Sequence, residues 1–195
     1  MTKKLLVIIF IFFIYAANSF STEPDIFVQS TVNRASKLLA EDISKEEKIT
    51  KLKSIAKDTV DIKGIGFYTL GSTRKTLNDE QKKEYSTLFE QYFLKSFSSR
   101  LAEYTNPEID VYGKEVLNKN YTIVNSTLKA TSERPEIKID WRIYTKNKEN
   151  PLIRDLIIEG LSLARTQKEE FASVLNSNNG EINALFKTLK EFNNK

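Results

Sequence analysis

Apolar residues recur at helical spacing through the first half of the chain. In DIFVQSTVNRASKLLAE, Ile26, Val28, Val32, Ala35, Leu38 and Leu39 fall near one helical face. Ser44 and Glu47 form a capping box, so a second helix opens at KEEKITKLKSIAKDTV. The next segment, DIKGIGFYTLG, is short and apolar, and Gly71 suits the left-handed residue that ends a helix. Gly64 and Gly66 make a GxG with no third glycine and no strand before it. That excludes a dinucleotide turn and predicts close packing or a bend. The longest helix starts at Asn78, with Gln81 completing a second box. It carries Tyr85, Leu88, Phe89, Tyr92, Phe93, Phe97, Leu101 and Tyr104 at spacings of three and four, a wide stripe rich in rings. Asn106-Pro107 ends it. Helical period is satisfied equally by a filled core and by the wall of an apolar cavity.

The period then changes from helical to alternating. EIDVYGKEV, YTIVNSTLKA and EIKIDWRIYTK read as strands. In the third, Ile137, Ile139, Trp141 and Ile143 share one face, and Lys138, Asp140, Arg142 and Tyr144 the other. A fourth strand is predicted over LIRDLIIEGLSL. Thr166 and Glu169 then suit the cap of a helix reaching about Ser177. After the turn NSNNG, EINALFKTLKEF is a last amphipathic helix. Helices, an antiparallel meander of about four strands and closing helices predict an α+β fold.

The N-terminus changes the picture of where this protein works. MTKK is a short basic start, Leu5–Tyr15 is an apolar run, and AANSFS supplies small residues spaced for cleavage. This is the grammar of a secretory signal peptide over residues 1–21, leaving one domain over 22–195. The run is too short at ~1.5 Å per residue to cross a ~30 Å hydrocarbon core. Loss of Lys3 and Lys4 takes the formal charge from +4 to +2, because residues 1–21 hold no acidic residue. Charges of both signs are interspersed, so nucleic acid is not an expected partner.

Composition limits the chemistry. With no histidine and no cysteine, there is no Ser-His-Asp triad, no thiolate nucleophile and no cysteine-held metal. The acidic residues make no metal-binding loop, and no cofactor is expected. Asp155, Glu159 and Ser162 remain as candidates for acid/base or nucleophilic work. On a continuous strand Asp155 and Glu159 share a face, beside Arg154 and Lys138, which favours ion pairing. Ser162 has no base to activate it and suits packing or hydrogen bonding. Gly160 suits a bulge or a close backbone approach. These four residues are read as the junction between strand and helix.

Two stretches together resemble a known family. Leu70–Leu101, LGSTRKTLNDEQKKEYSTLFEQYFLKSFSSRL, has a Leu-Gly, a polar run to a helix cap, then the aromatic helix. Arg154–Leu189 has an Asp in a strand, a Glu-Gly-hydrophobic-Ser step, and a helix running to an aromatic. Both are similar to the toluene-tolerance (MlaC-like) family of periplasmic phospholipid carriers. The resemblance implies an NTF2-like fold, in which a twisted sheet and helices enclose an apolar cavity. It implies a monomeric periplasmic shuttle in an Mla-type pathway. Such a shuttle moves a diacyl phospholipid between an outer-membrane lipoprotein complex and an inner-membrane ABC transporter with an MCE-type subunit. It implies no catalytic residue. The expected lining is Phe67, Leu70, Phe89, Phe93, Phe97, Trp141, Ile143, Ile158 and Leu161, and opening would shift the long helix against the sheet. Two alternatives stay open. One is a secreted interaction module with a filled core. The other is a small-substrate enzyme on the same fold, which would need a carboxylate inside the pocket.

Overall fold

The computed structural model describes residues 22–195, so the expected signal peptide lies outside the described residues. Three helices come first: α1 (Pro24–Ala40), α2 (Lys45–Thr59) and the short α3 (Ile62–Thr69). A 3-10 turn, Thr73–Lys75, leads to α4 (Asp79–Leu101). Strands β1 (Ile109–Asn118), β2 (Tyr121–Leu128), β3 (Ile137–Tyr144), β4 (Leu152–Ile158) and β5 (Leu161–Ser162) follow. Helices α5 (Leu163–Asn176) and α6 (Ile182–Asn194) close the chain. The strands form one antiparallel sheet in sequence order, with a fifth, two-residue strand beyond the four expected. The α+β class is as expected.

Local signals place the helix starts. The Ser44 and Asn78 side chains each accept from the N–H three residues on, and Glu47 and Gln81 reach back to the cap N–H. Each box therefore satisfies two backbone donors that a helix leaves without partners. Helix α1 differs from its pattern at one position: Ile26 is 63% exposed, while Val28 and Val32 are buried. Tyr104 lies beyond the end of α4, under the Arg134 guanidinium.

The wide stripe on α4 is explained by its surroundings. The helix packs on α2, α3 and α6 and is not a surface helix with a single buried edge. Tyr85, Leu88, Phe89 and Leu94 are buried in the main core together with Val124, Trp141, Ile143 and Phe186. The close approach of α3 to α4 needs Gly66, because a Cβ there would come within 2.7 Å of the Phe89 ring. Gly64 likewise leaves room for Asp61 and Arg154. The GxG is thus a packing device, as its context predicted. A smaller cluster, Leu38, Leu39 and Leu52, seals the far end of α1 and α2.

Strand β4 departs from the expected pattern at two places. Arg142 pairs with Asp155 and Ile143 with Ile153, so Arg154 is the extra residue of a β-bulge. The expected continuous fourth strand also ends early. Glu159 (φ 50°) and Gly160 (φ 81°) form a two-residue turn between Ile158 and Leu161. Positive φ at both positions is the geometry that matches the twist of a tight hairpin, and glycine takes it without steric cost. Asp155 and Glu159 therefore do not share a strand face, which corrects the expectation from their spacing. Gly160 serves a turn, with no bulge at its position and no atom close to its α-carbon face.

Candidate functional site

The reversal after Ile158 brings Ser162 back over β4. Its Oγ donates to Asp155 Oδ2 at 2.6 Å and accepts from Arg165 N at 3.1 Å. Ser162 is thus the N-cap of α5, four residues before the Thr166 cap that the sequence suggested. The sequence signal misled because Thr166 instead donates its hydroxyl to the Ser162 carbonyl, inside the first turn. Asp155 Oδ1 accepts from Ala164 N at 3.0 Å, and Arg142 Nη1 stands 3.8 Å from Oδ2. Both carboxylate oxygens are engaged in fixing the start of α5. Negative charge at a helix N-terminus is favourable there. Glu159 Oε1 accepts from the Lys138 backbone N–H and locks the hairpin. The four candidates meet as a strand–turn–helix junction.

On the neighbouring side of β4, Arg154 pairs with Asp61, the N-cap of α3. It also lies over the Tyr144 ring and donates to the Tyr121 hydroxyl. The α2–α3 link is tied to β4 as well, through Val60 paired with Ile153 and Asp61 N bonded to the Ile153 carbonyl.

Between α4, the sheet and α5 lies a cavity of about 230 Å³. Its apolar wall includes Phe89, Phe93 and Phe97 from α4, Trp141 from β3, and Ile65, Ile153 and Leu156. Phe93 and Phe97 are stacked at 5.4 Å, and Phe89 meets Phe171 edge-on at 6.2 Å. Trp141 keeps its polar N–H satisfied on Ser126 Oγ, whose own hydroxyl donates to the Ile139 carbonyl. The wall can therefore be aromatic without a stranded donor.

Four of the nine expected lining residues, Phe89, Phe93, Phe97 and Trp141, stand on this wall. Leu70 and Ile143 are buried in the core elsewhere. Phe67 packs at the edge of that core beside Tyr85. Ile158 lies at the hairpin, and Leu161 is 58% exposed because the turn points it outward.

The polar mouth was missed. Tyr92, Ser96 and Arg100 stand beside the phenylalanine row, and Thr166, Gln167 and Glu170 face them from α5. Tyr92-Ser96-Arg100 is itself an i, i+4, i+8 row, so helical spacing contained the signal once the phenylalanine row was taken as a wall. Tyr92 Oη donates to Gln167 Oε1 at 2.6 Å, bridging α4 and α5. Burial holds the Tyr92 hydroxyl above its ordinary pKa, and the Glu170 charge adds to this. The Gln167 hydrogen bond and Arg100 act the other way.

Fold and site define an α+β protein with an apolar cavity and a polar mouth between two helices. The MlaC protein family profile matches residues 29–191, and the chain belongs to that family. Among solved structures it is similar to a phospholipid-binding protein of Ralstonia solanacearum, determined in complex with a phospholipid. Identity is 19%, the TM-score is 0.74, and the match covers 88% of this chain and 97% of that one. No curated protein matches the chain. Among the described residues no helix is long and apolar enough to cross a membrane.

Proposed function

We propose that this protein is a carrier that holds a diacyl phospholipid with its acyl chains inside the cavity and its headgroup at the mouth. The ring-lined cavity beside α4 is the observation that carries this reading. Family membership and the fold shared with a phospholipid-binding protein support it. Hiding acyl chains from water is worth ~0.8 kcal/mol per methylene, so a carrier needs an apolar wall and few buried polar groups. The carrier works in the periplasm as a monomer. It receives and delivers lipid between an outer-membrane lipoprotein complex and an inner-membrane ABC transporter with an MCE-type subunit.

Volume adds a requirement. About 230 Å³ lies below the ~300–1,000 Å³ of ordinary small-molecule pockets. Two acyl chains enter only if the walls part. Helix α4 is held to α2, α3 and α6 by close packing. It reaches α5 through side chains: the Tyr92–Gln167 hydrogen bond and the Phe89 and Tyr92 contacts with Phe171. The α4–α5 seam is the proposed opening. This refines the expectation that α4 shifts against the sheet.

The carrier is tested by native mass spectrometry of the mature chain purified without detergent. A bound mass matching a two-chain phospholipid supports the reading. Protein that is ligand-free and also refuses added lipid overturns it in favour of an interaction module. The seam is tested with Tyr92→Cys and Gln167→Cys joined by a short bis-maleimide, in a chain without other cysteines. Cross-linked protein should fail to load while the unreacted variant loads. Equal loading by both would refute the seam.

A further inference from the structure

The mouth of the cavity holds opposite charges on its two sides. Arg100 comes from α4 and Glu170 from α5, and both line the opening. Arg100 makes no salt bridge or side-chain hydrogen bond among the described residues. Glu170 uses one oxygen, Oε2, for Gln167 Nε2 at 2.9 Å and leaves Oε1 available. The two groups lie near enough to Tyr92 to act on its hydroxyl in opposite directions. Arg100 is the cation of the lining, while the other lining carboxylate, Asp155, is occupied by Ser162 and Ala164. The free valences at the mouth are therefore a guanidinium on one helix and a carboxylate oxygen on the other.

We propose that this pair selects a zwitterionic phospholipid carrying a primary amine over an anionic one: Arg100 takes the phosphate diester and Glu170 takes the ammonium. The inference rests on the carrier reading and adds the headgroup class. A guanidinium offers a planar fork of donors that matches two phosphate oxygens. Every glycerophospholipid has that phosphate, so Arg100 contributes affinity without discrimination. Glu170 discriminates. A primary ammonium can both pair with it and donate to it, a quaternary ammonium can only pair, and an uncharged glycerol headgroup can donate a hydroxyl but cannot pair. Both side chains are exposed, so water screens the pair and the preference is modest, about two- to fivefold.

The test is competitive loading from vesicles holding equal phosphatidylethanolamine and phosphatidylglycerol. The readout is the headgroup ratio of extracted lipid, which reports even when a variant loads less. Wild type should favour phosphatidylethanolamine by that factor. Glu170→Lys should reverse the ratio. Glu169→Lys makes the same charge change on α5 outside the lining and should keep the wild-type ratio, which controls for attraction to the vesicle. Arg100→Gln should lower loading of both lipids without changing the ratio. A wild-type ratio of one, or equal ratios for Glu170→Lys and Glu169→Lys, overturns the headgroup assignment and leaves the carrier standing. Absence of lipid in every form overturns the carrier and the assignment with it.

Discussion

Replacing Asp155 with alanine separates a structural carboxylate from a chemical one. The side chain is 2% exposed, and its oxygens take the Ser162 hydroxyl and the Ala164 N–H. Each hydrogen bond to a charged acceptor contributes about 1.5–3 kcal/mol, offset by the cost of burying the charge. Alanine also leaves the buried Ala164 N–H without a partner. Arg142 loses a counter-charge but is 36% exposed, so water compensates it. The net expected loss is about 3 kcal/mol. With a urea slope of ~2 kcal/mol per molar, the unfolding midpoint should fall by about 1.5 M. Asp155→Asn keeps one acceptor for Ala164 and an amide that can donate to Ser162 Oγ, so it should cost about half as much. Ser162→Ala should cost about 1 kcal/mol as a lost cap. Its effect should be smaller in the Asp155→Ala background, because the two share a bond. An Asp155→Ala loss below about 0.5 kcal/mol, or an asparagine variant less stable than the alanine, would refute this account.

Two further outcomes follow from the same geometry. Gly66→Ala places a methyl within 2.7 Å of the buried Phe89 ring. The ring should swing toward the cavity it lines, so lipid loading should fall and stability drop by about 1–2 kcal/mol; unchanged loading by native mass spectrometry would contradict it. Stability should also fall at alkaline pH. Burial holds the Tyr85 hydroxyl far above its ordinary value, although its hydrogen bond with Thr69 lowers it in part, and Tyr92 is raised as well. Below about pH 10 folded and unfolded phenols are both protonated and the contribution is complete. Above it the unfolded phenols ionise first, so unfolding releases protons and stability declines. Urea midpoints between pH about 8 and about 11 should fall, with a further step of phenolate absorbance on unfolding. A flat midpoint would count against the buried assignment.

Helix starts and strand order were legible wherever the signal is local. A capping box needs only residues three apart, so Ser44–Glu47 and Asn78–Gln81 announce α2 and α4 without the rest of the chain. Alternation in β3 correctly put Ile139, Trp141 and Ile143 on the buried face. The resemblance to the carrier family also rested on order along the chain, and the family match agrees with it.

Other features depended on chain closure. The Arg154 bulge resets alternation early in β4 through pairing with β3, and the turn at Glu159 ends the strand after Ile158, so spacing alone misplaced Glu159 relative to Asp155. The Glu159-Gly160 hairpin turned Leu161 outward and moved the α5 cap from Thr166 to Ser162. Above all, periodicity shows that Phe89, Phe93 and Phe97 face inward, because a helix repeats every ~3.6 residues whatever it packs against. Whether that interior is filled depends on what stands opposite. Here α5 meets α4 through side chains, and the space left between them is the cavity, with Arg100 and Glu170 at its mouth. Sequence by itself determined the faces, since facing is a property of one element. Tertiary structure decided the empty volume, since a gap is a property of several elements that fail to touch.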